Sequence, residues 1–254
     1  MTETVGWTWL LGVGAVVGLL SGMFGIGGAS IATPLLALLG VEGLQAVASP
    51  LPVTIPIAAS AGVAYVRSDE VQWRVAGLSL LGAVPFGVAG ALLARVVGGR
   101  ALLVAAGIAV AVVGARLVRP IGEETRAAGS HRRESGPLLV AATAIVGLLT
   151  GLLANGGGFL LVPLYLLAFG LRMRPAAGTS LAVIVGLSVP TVITHGIVGN
   201  IDWRVAGLLA VTAVPGAFVA AHLAQAMVQR KIRKAFGWLL VVFGIYFSAR
   251  ELMA

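Results

Sequence analysis

Two glycine clusters are the segments of this sequence best suited to binding chemistry. The first reads Phe24-Gly25-Ile26-Gly27-Gly28-Ala29-Ser30, and the second reads Ala154-Asn155-Gly156-Gly157-Gly158-Phe159. Glycine gains little from helical order and accepts unusual backbone dihedrals, so both clusters should interrupt helices. A helix that starts inside such an interruption presents unpaired N–H groups and a partial positive charge, which suit an anion. We therefore expect the backbone of both clusters to bind a small anion.

A purely structural interpretation of the clusters is close helix packing, because small residues let membrane helices approach one another. The recurrence of a glycine cluster at the matching place in both halves favours binding over packing. Ser30 stands at a predicted helix start and could bind or cap. The amide of Asn155 could donate to a substrate or tie down the interrupted backbone.

Hydroxyl groups form a second candidate set. Ser49-Pro50 and Thr179-Ser180 open the third apolar run of each half. Hydroxyls can donate hydrogen bonds to oxyanion oxygens in a desolvated site. Ser and Thr at a run start also cap helices routinely, so the sequence leaves both roles open.

Several chemistries are excluded by the residues that this chain lacks or places in loops. All nine acidic residues lie in loops or at the ends of apolar runs, and there are no cysteines. These facts argue against carboxylate proton relays, carboxylate- or thiolate-bound metals and paired-carboxylate hydrolysis. The glycine clusters also lack the lysine of a P-loop. We predict that the protein is not an enzyme and has no cofactor or metal. His195, near the end of its apolar run, is either an interfacial structural residue or proton-linked.

The composition indicates that these segments fold in a lipid bilayer and not in water. The chain is 59% hydrophobic and 10% charged over 254 residues, whereas soluble domains carry about 25% charged residues. An all-α integral membrane protein accounts for this composition. The net charge of +8 comes from basic residues in short loops between apolar runs, which argues against nucleic acid as a partner.

An internal duplication organises the apolar runs. Trp73-Arg74-Val75-Ala76-Gly77-Leu78 recurs as Trp203-Arg204-Val205-Ala206-Gly207-Leu208, a shift of 130, and the first glycine cluster recurs at a shift of 129. We predict a first transmembrane repeat over 1–118, a basic linker over 119–136 and a second repeat over 137–254. Each repeat has about five helical segments. An odd number of crossings per repeat gives an inverted repeat, and the count stays odd if the first two segments form a re-entrant hairpin.

The charge distribution predicts the orientation. Thirteen of the 17 Lys and Arg residues lie in loops on the side of the central linker, and four lie on the side of the termini. Because basic loops stay in the cytoplasm, the linker should be cytoplasmic and both termini should be outside the inner, cytoplasmic membrane.

The glycine motif with a downstream proline, recurring after a central basic loop, resembles the sulfite exporter TauE/SafE family. Gly25-Ile26-Gly27-Gly28-Ala29, Asn155-Gly156-Gly157-Gly158 and Gly178-Thr179-Ser180-Leu181 carry the resemblance, which covers roughly residues 10–250. It implies a transporter of small anions such as sulfite, sulfoacetate or organosulfonates. Its partners would be the anion and the lipid bilayer, and a homo-oligomer is compatible with the sequence. The alternatives are a channel-like anion path and a membrane scaffold without a substrate.

Overall fold

The computed structural model describes residues 6–41, 43–93, 111–118, 136–153, 158–199 and 201–253. Its secondary structure within these ranges is helical, without strands. The helices are α1 Trp7–Phe24, α2 Ala29–Leu38, α3 Gly43–Ala48, α4 Leu51–Arg67, α5 Trp73–Leu93, α6 over residues 111–118, α7 Gly136–Leu153, α8 Gly158–Leu167, α9 Met173–Val198, α10 Trp203–Ala226 and α11 Gln229–Met253.

Five helical segments of the described ranges are long and apolar enough to cross a membrane. They are Trp7–Phe24, Gln45–Arg67, Trp73–Gly90, Met173–Ile193 and Trp203–Ala226. The prediction of an all-α multi-pass membrane protein is thereby confirmed. The short runs that follow the glycine clusters are α2 and α8, with 10 residues each. Because a span needs about 20 residues, neither helix crosses a bilayer alone.

The third run of the first half differs from its counterpart in the second. It is interrupted at Ser49-Pro50, which separates α3 from α4, whereas Thr179-Ser180 lies inside the continuous helix α9. Pro50 has no N–H to continue the helical hydrogen bonding and favours a new helix start. The expectation that both hydroxyl pairs open a helical run therefore holds only for the first half.

The two halves pack together through the helices of their first and fourth apolar runs. Helix α1 packs against α10 of the other half, and α7 packs against α5. A methyl group added at Gly18 would collide with the backbone of Ala213, and one added at Gly147 would collide with the backbone of Ala83. These two contacts join residues at the same repeat positions, so the same close helix pair is built twice.

At a neighbouring contact, the two equivalent helix pairs use the same two residue types on opposite helices. In the α1–α10 pair, Gly14 lies against Thr212, whereas in the α5–α7 pair Gly82 lies against Thr143. The glycine and the threonine have exchanged helices, and each pair keeps one small residue and one hydroxyl. Close backbone approach through small residues is the main packing device available where lipid removes the hydrophobic driving force.

These contacts define two bundles that cross the boundary between the halves. Following the repeat symmetry, we group α1, α4 and α10 as the first bundle and α5, α7 and α9 as the second; α9 packs both on α5 and, across the boundary, on α4. Each bundle takes helices from both repeats. The inverted orientation of the repeats and the domain boundaries remain predictions, and the linker over 119–135 lies outside the described residues.

Candidate functional site

The first glycine cluster interrupts the helix in the way its composition predicts. Gly25 has φ 72° and Gly27 has φ 74°, backbone conformations that L side chains rarely adopt. The N–H of Gly25 donates to the carbonyl of Ser21 at 2.8 Å and ends α1. The Ser21 hydroxyl donates to the carbonyl of Gly27 at 2.9 Å and fixes the turned backbone.

The start of α2 lies well inside the protein. A methyl group at Gly28 would be 3.5 Å from a methyl of Val17, a residue of α1 seven positions before its last residue. Seven helical residues span about 10 Å along the axis. The chain therefore returns alongside α1 by roughly that distance before α2 begins. The N-terminus of α2 is therefore buried within the helical bundle, as the sequence predicts for the first cluster.

Thr54 of α4 caps this buried helix start, although the sequence analysis did not single it out. The N–H of Ala29 donates to the Thr54 hydroxyl at 3.1 Å, and that hydroxyl donates to the carbonyl of Pro50 at 3.3 Å. One of the first N–H groups of α2, which have no acceptor within the helix, is thus satisfied by a side chain. The signal in the sequence was a hydroxyl within an apolar run, a feature that Thr54 shares with Ser60. Ser30, in the first turn of α2, is also buried.

The opposite wall of the interruption is a face of α9. Ala177 lies against Gly25, and Ile184 lies 3.3 Å from the position that a methyl group on Gly27 would occupy. Ser180 and Ser188 flank this face, about 60° and 20° around the helix from Ala177. Gly25, Gly27 and Thr54 belong to the first bundle and its break, and the α9 residues belong to the second.

Both serines of this α9 face are buried with unpartnered hydroxyls. Ser180 is 0% exposed and Ser188 is 2% exposed, and neither Oγ atom has a hydrogen-bond partner among the described residues. A buried hydroxyl without a partner costs free energy, and such groups are few in folded proteins. Ser180 was predicted from the sequence; Ser188, one turn beyond Ile184, was not. The two hydroxyls are hydrogen-bonding groups that no described residue uses.

Ser49 and Thr179 occupy matching positions but have a different environment. The Ser49 hydroxyl accepts the N–H of Asp202 at 3.1 Å, and the Thr179 hydroxyl accepts the N–H of Gln72 at 3.0 Å. Asp202 and Gln72 immediately precede the equivalent helices α10 and α5. Each hydroxyl thus holds the residue before a helix of the other half, and its role in substrate binding stays a prediction.

The second glycine cluster is only partly described. Asn155, Gly156 and Gly157 lie outside the described residues, and Gly158 is the first residue of α8. His195 belongs to α9, but its side chain lies outside the described part of the structure. The described residues contain no group of three or more His, Cys, Asp or Glu side chains that could hold a metal ion.

The described site consists of neutral hydrogen-bonding groups at the interface between two bundles. A buried helix start attracts negative charge through its partial positive charge, and hydroxyls can donate to an anion. The described groups include no carboxylate, thiol or histidine side chain at the break. The arrangement suits reversible binding of a small anion.

Comparison with known proteins gives a consistent assignment. The family described as "Sulfite exporter TauE/SafE" matches over residues 10–247. A "Probable membrane transporter protein" of Xylella fastidiosa is 26% identical over 243 residues, which cover 93% of this chain and 92% of that protein. The "Probable membrane transporter protein YunE" of Bacillus subtilis is 26% identical over 250 residues, covering 88% and 89% of the two chains. No solved structure matches this chain.

Proposed function

Because the chain belongs to the sulfite exporter TauE/SafE family, we propose that it is a secondary transporter or facilitator for a small anion. Sulfite, sulfoacetate and organosulfonates are the candidate substrates. The names of its relatives, probable membrane transporter proteins, support transport. The absence of carboxylate pairs and cysteine nucleophiles from the apolar runs agrees with a protein that moves its substrate unchanged.

One structural observation carries this proposal. A buried helix start lies against the α9 face that also carries Ser180 and Ser188, whose buried hydroxyls have no hydrogen-bond partner among the described residues. Two buried hydroxyls without partners lower the stability of the fold, and packing alone does not explain why both are present. A substrate anion bound there would satisfy the hydroxyls and bridge the two bundles.

The proposed site combines structural and sequence assignments. The first part is formed by Gly25, Gly27, Gly28 and Ser30 from the break, together with Ser180 and Ser188 of α9. The second glycine cluster contributes the residues that the sequence assigned, namely Asn155, Gly156, Gly157 and Gly158. We assign Ser49 and Thr179 to capping, because their hydroxyls already accept backbone N–H groups.

Alternating access would arise from movement of one bundle against the other. Rocking of one repeat against the other would separate close helix contacts, among them Gly18 with Ala213 and Gly147 with Ala83. Movement between the α1–α4–α10 and α5–α7–α9 bundles leaves these contacts intact. It would also open the α4–α9 boundary, where the proposed site lies.

We place the protein in the cytoplasmic membrane with its termini outside, on the strength of the basic loops. The orientation can be tested by cysteine accessibility, since the natural chain has no cysteine and single cysteines in the linker and near the N-terminus would be unambiguous. Labelling of the linker cysteine by a membrane-impermeant reagent in intact cells would contradict this orientation.

The function is tested by uptake of radiolabelled sulfite into proteoliposomes, with taurine, sulfate and acetate as competitors. Saturable uptake with counterflow supports a transporter, and uptake that never saturates and shows no counterflow indicates a channel-like path. Folded protein that takes up none of these anions would contradict the proposal and favour a scaffold.

A further inference from the structure

We propose that the outward face of α11 is a docking surface for an anionic phospholipid. The phosphate of this lipid binds Lys231 and Lys234 at the start of the helix, and its acyl chains lie along the apolar side chains that follow. The surface is separate from the break between α1 and α2, so the proposal goes beyond the transport function and does not depend on it.

Helix α11 has one buried face and one exposed face. Its buried face carries Ile232, Phe236 and Leu240, and the Phe236 ring packs on Phe24, the last residue of α1, with ring centroids 5.4 Å apart. Five exposed side chains lie on the opposite face within an arc of about 80° around the helix axis. They are Lys231, Lys234, Trp238, Val242 and Ile245.

The order of side chains along this exposed face matches the order of groups in a phospholipid. The two lysines come first, Trp238 lies about 10 Å beyond Lys231 along the axis, and Ile245 lies about 10 Å farther. Residues 235–248 contain no charged side chain. Lysine can extend its ammonium group to the phosphate level, and tryptophan favours the membrane interface. The aliphatic side chains then lie at the level of the hydrocarbon.

The charges at the start of α11 favour a partner with a net negative charge. Residues 229–234 include four cations and no acidic residue. Cations at a helix start are unfavourable, because that end of the helix already carries a partial positive charge. Among the described residues, no carboxylate pairs with Lys231 or Lys234. The linker over 119–135 has no surplus of acid to offer, since it contains four Arg and three Glu.

The same charges discriminate between lipid headgroups. Phosphatidylglycerol brings one negative charge to the lysines, whereas phosphatidylcholine also brings a quaternary ammonium group, which the neighbouring cations repel. Each Lys or Arg near a membrane surface strengthens binding of anionic lipid by about fivefold. Two lysines on one face therefore predict a clear preference for phosphatidylglycerol.

The test counts the lipids that the full chain retains in mixed micelles, measured by native mass spectrometry with phosphatidylglycerol or phosphatidylcholine of identical acyl chains. We expect phosphatidylglycerol to bind roughly tenfold more tightly or better. The double variant Lys231→Gln/Lys234→Gln should lose this preference and bind phosphatidylcholine as before. The matched control is Arg74→Gln/Arg204→Gln, which removes two exposed cations beside the exposed Trp73 and Trp203 at other helix starts. This control should keep the preference.

A second measurement needs no variant. The preference of the natural chain for phosphatidylglycerol should decline as the ionic strength rises, because exposed charges are screened by salt. Equal retention of the two lipids, or the same loss in both double variants, overturns the proposal. Displacement of the lipid by millimolar inorganic phosphate would identify a site for a free ion and overturns it as well. Anion uptake tests the proposed function separately, so failure of one does not imply failure of the other.

Discussion

The hydroxyl of Ser49 accepts a hydrogen bond from the backbone N–H of Asp202, 3.1 Å away and on the other half of the chain. The Asp202 carboxylate in turn accepts the N–H groups of Arg204 and Val205 and caps α10. The same relationship joins Thr179 to Gln72, at positions shifted by 130 in both partners. Two hydroxyls that looked equally suited to substrate binding therefore each hold the start of a helix from the opposite repeat.

Replacing either capping hydroxyl should reduce stability. Ser49→Ala and Thr179→Val each leave a backbone N–H without its partner, at a cost of about 1–3 kcal/mol. Thermal unfolding in detergent measures the loss, and KM of the folded variants should stay unchanged. A raised KM without loss of stability would instead make these hydroxyls substrate contacts.

The two unpartnered serines should behave in the opposite way. Ser180→Ala and Ser188→Ala remove buried hydroxyls that have no hydrogen bond, so stability should stay the same or rise by up to about 1 kcal/mol. If the hydroxyls bind the anion, KM should rise roughly tenfold for each variant. Thr143→Ala is a matched control, because the Thr143 hydroxyl bonds to Leu139 within its own helix. Unchanged KM in both serine variants would remove them from the site.

The glycines of the packed helices should differ sharply in how well they tolerate substitution by alanine. Gly18→Ala and Gly147→Ala place a methyl group against the backbone of the partner helix and should each destabilise the protein by about 1–3 kcal/mol. Gly12→Ala is the control, since a methyl group there meets nothing within 4 Å. This change should be neutral or slightly stabilising. Equal thermal stability of Gly12→Ala and Gly18→Ala would contradict the close packing of α1 on α10.

Thr54 should support the start of α2. Thr54→Val removes the cap from the N–H of Ala29 and should cost about 1 kcal/mol of stability. Thr191→Val is the comparison, because the Thr191 hydroxyl bonds back to Leu187 in the same helix and caps no other element. Thermal unfolding of the two variants side by side measures the difference. A Thr54→Val protein as stable as Thr191→Val would show that the cap contributes nothing.

The second glycine cluster supplies a prediction from the sequence alone. Gly157→Leu should abolish anion uptake while leaving membrane insertion intact, because a large side chain would fill the predicted break. Uptake in proteoliposomes and the yield of folded protein in membranes measure the two effects separately. Full activity in this variant would exclude Gly157 from the site, and loss of folding would assign it to packing.

The sequence by itself determined the class of protein and the location of the break between α1 and α2. A composition of 59% hydrophobic and 10% charged residues requires a bilayer, and periodicity plays little part in that conclusion. Gly25 and Gly27 were predictable because a positive φ selects glycine through local sterics, without reference to distant residues. The short helices α2 and α8 followed from the lengths of the apolar runs.

Only the tertiary structure decided which hydroxyls are engaged and which helices pair. Ser49, Thr179, Ser180 and Ser188 are alike in residue chemistry and lie in similar apolar surroundings, but their partners are set by contacts more than 100 residues away or are missing. The pairing of α1 with α10 and of α7 with α5 across the halves was likewise hidden, because glycine in an apolar run permits a close partner without specifying it. Local steric preferences can be inferred from the sequence, whereas hydrogen bonds between distant segments depend on how the bundles assemble.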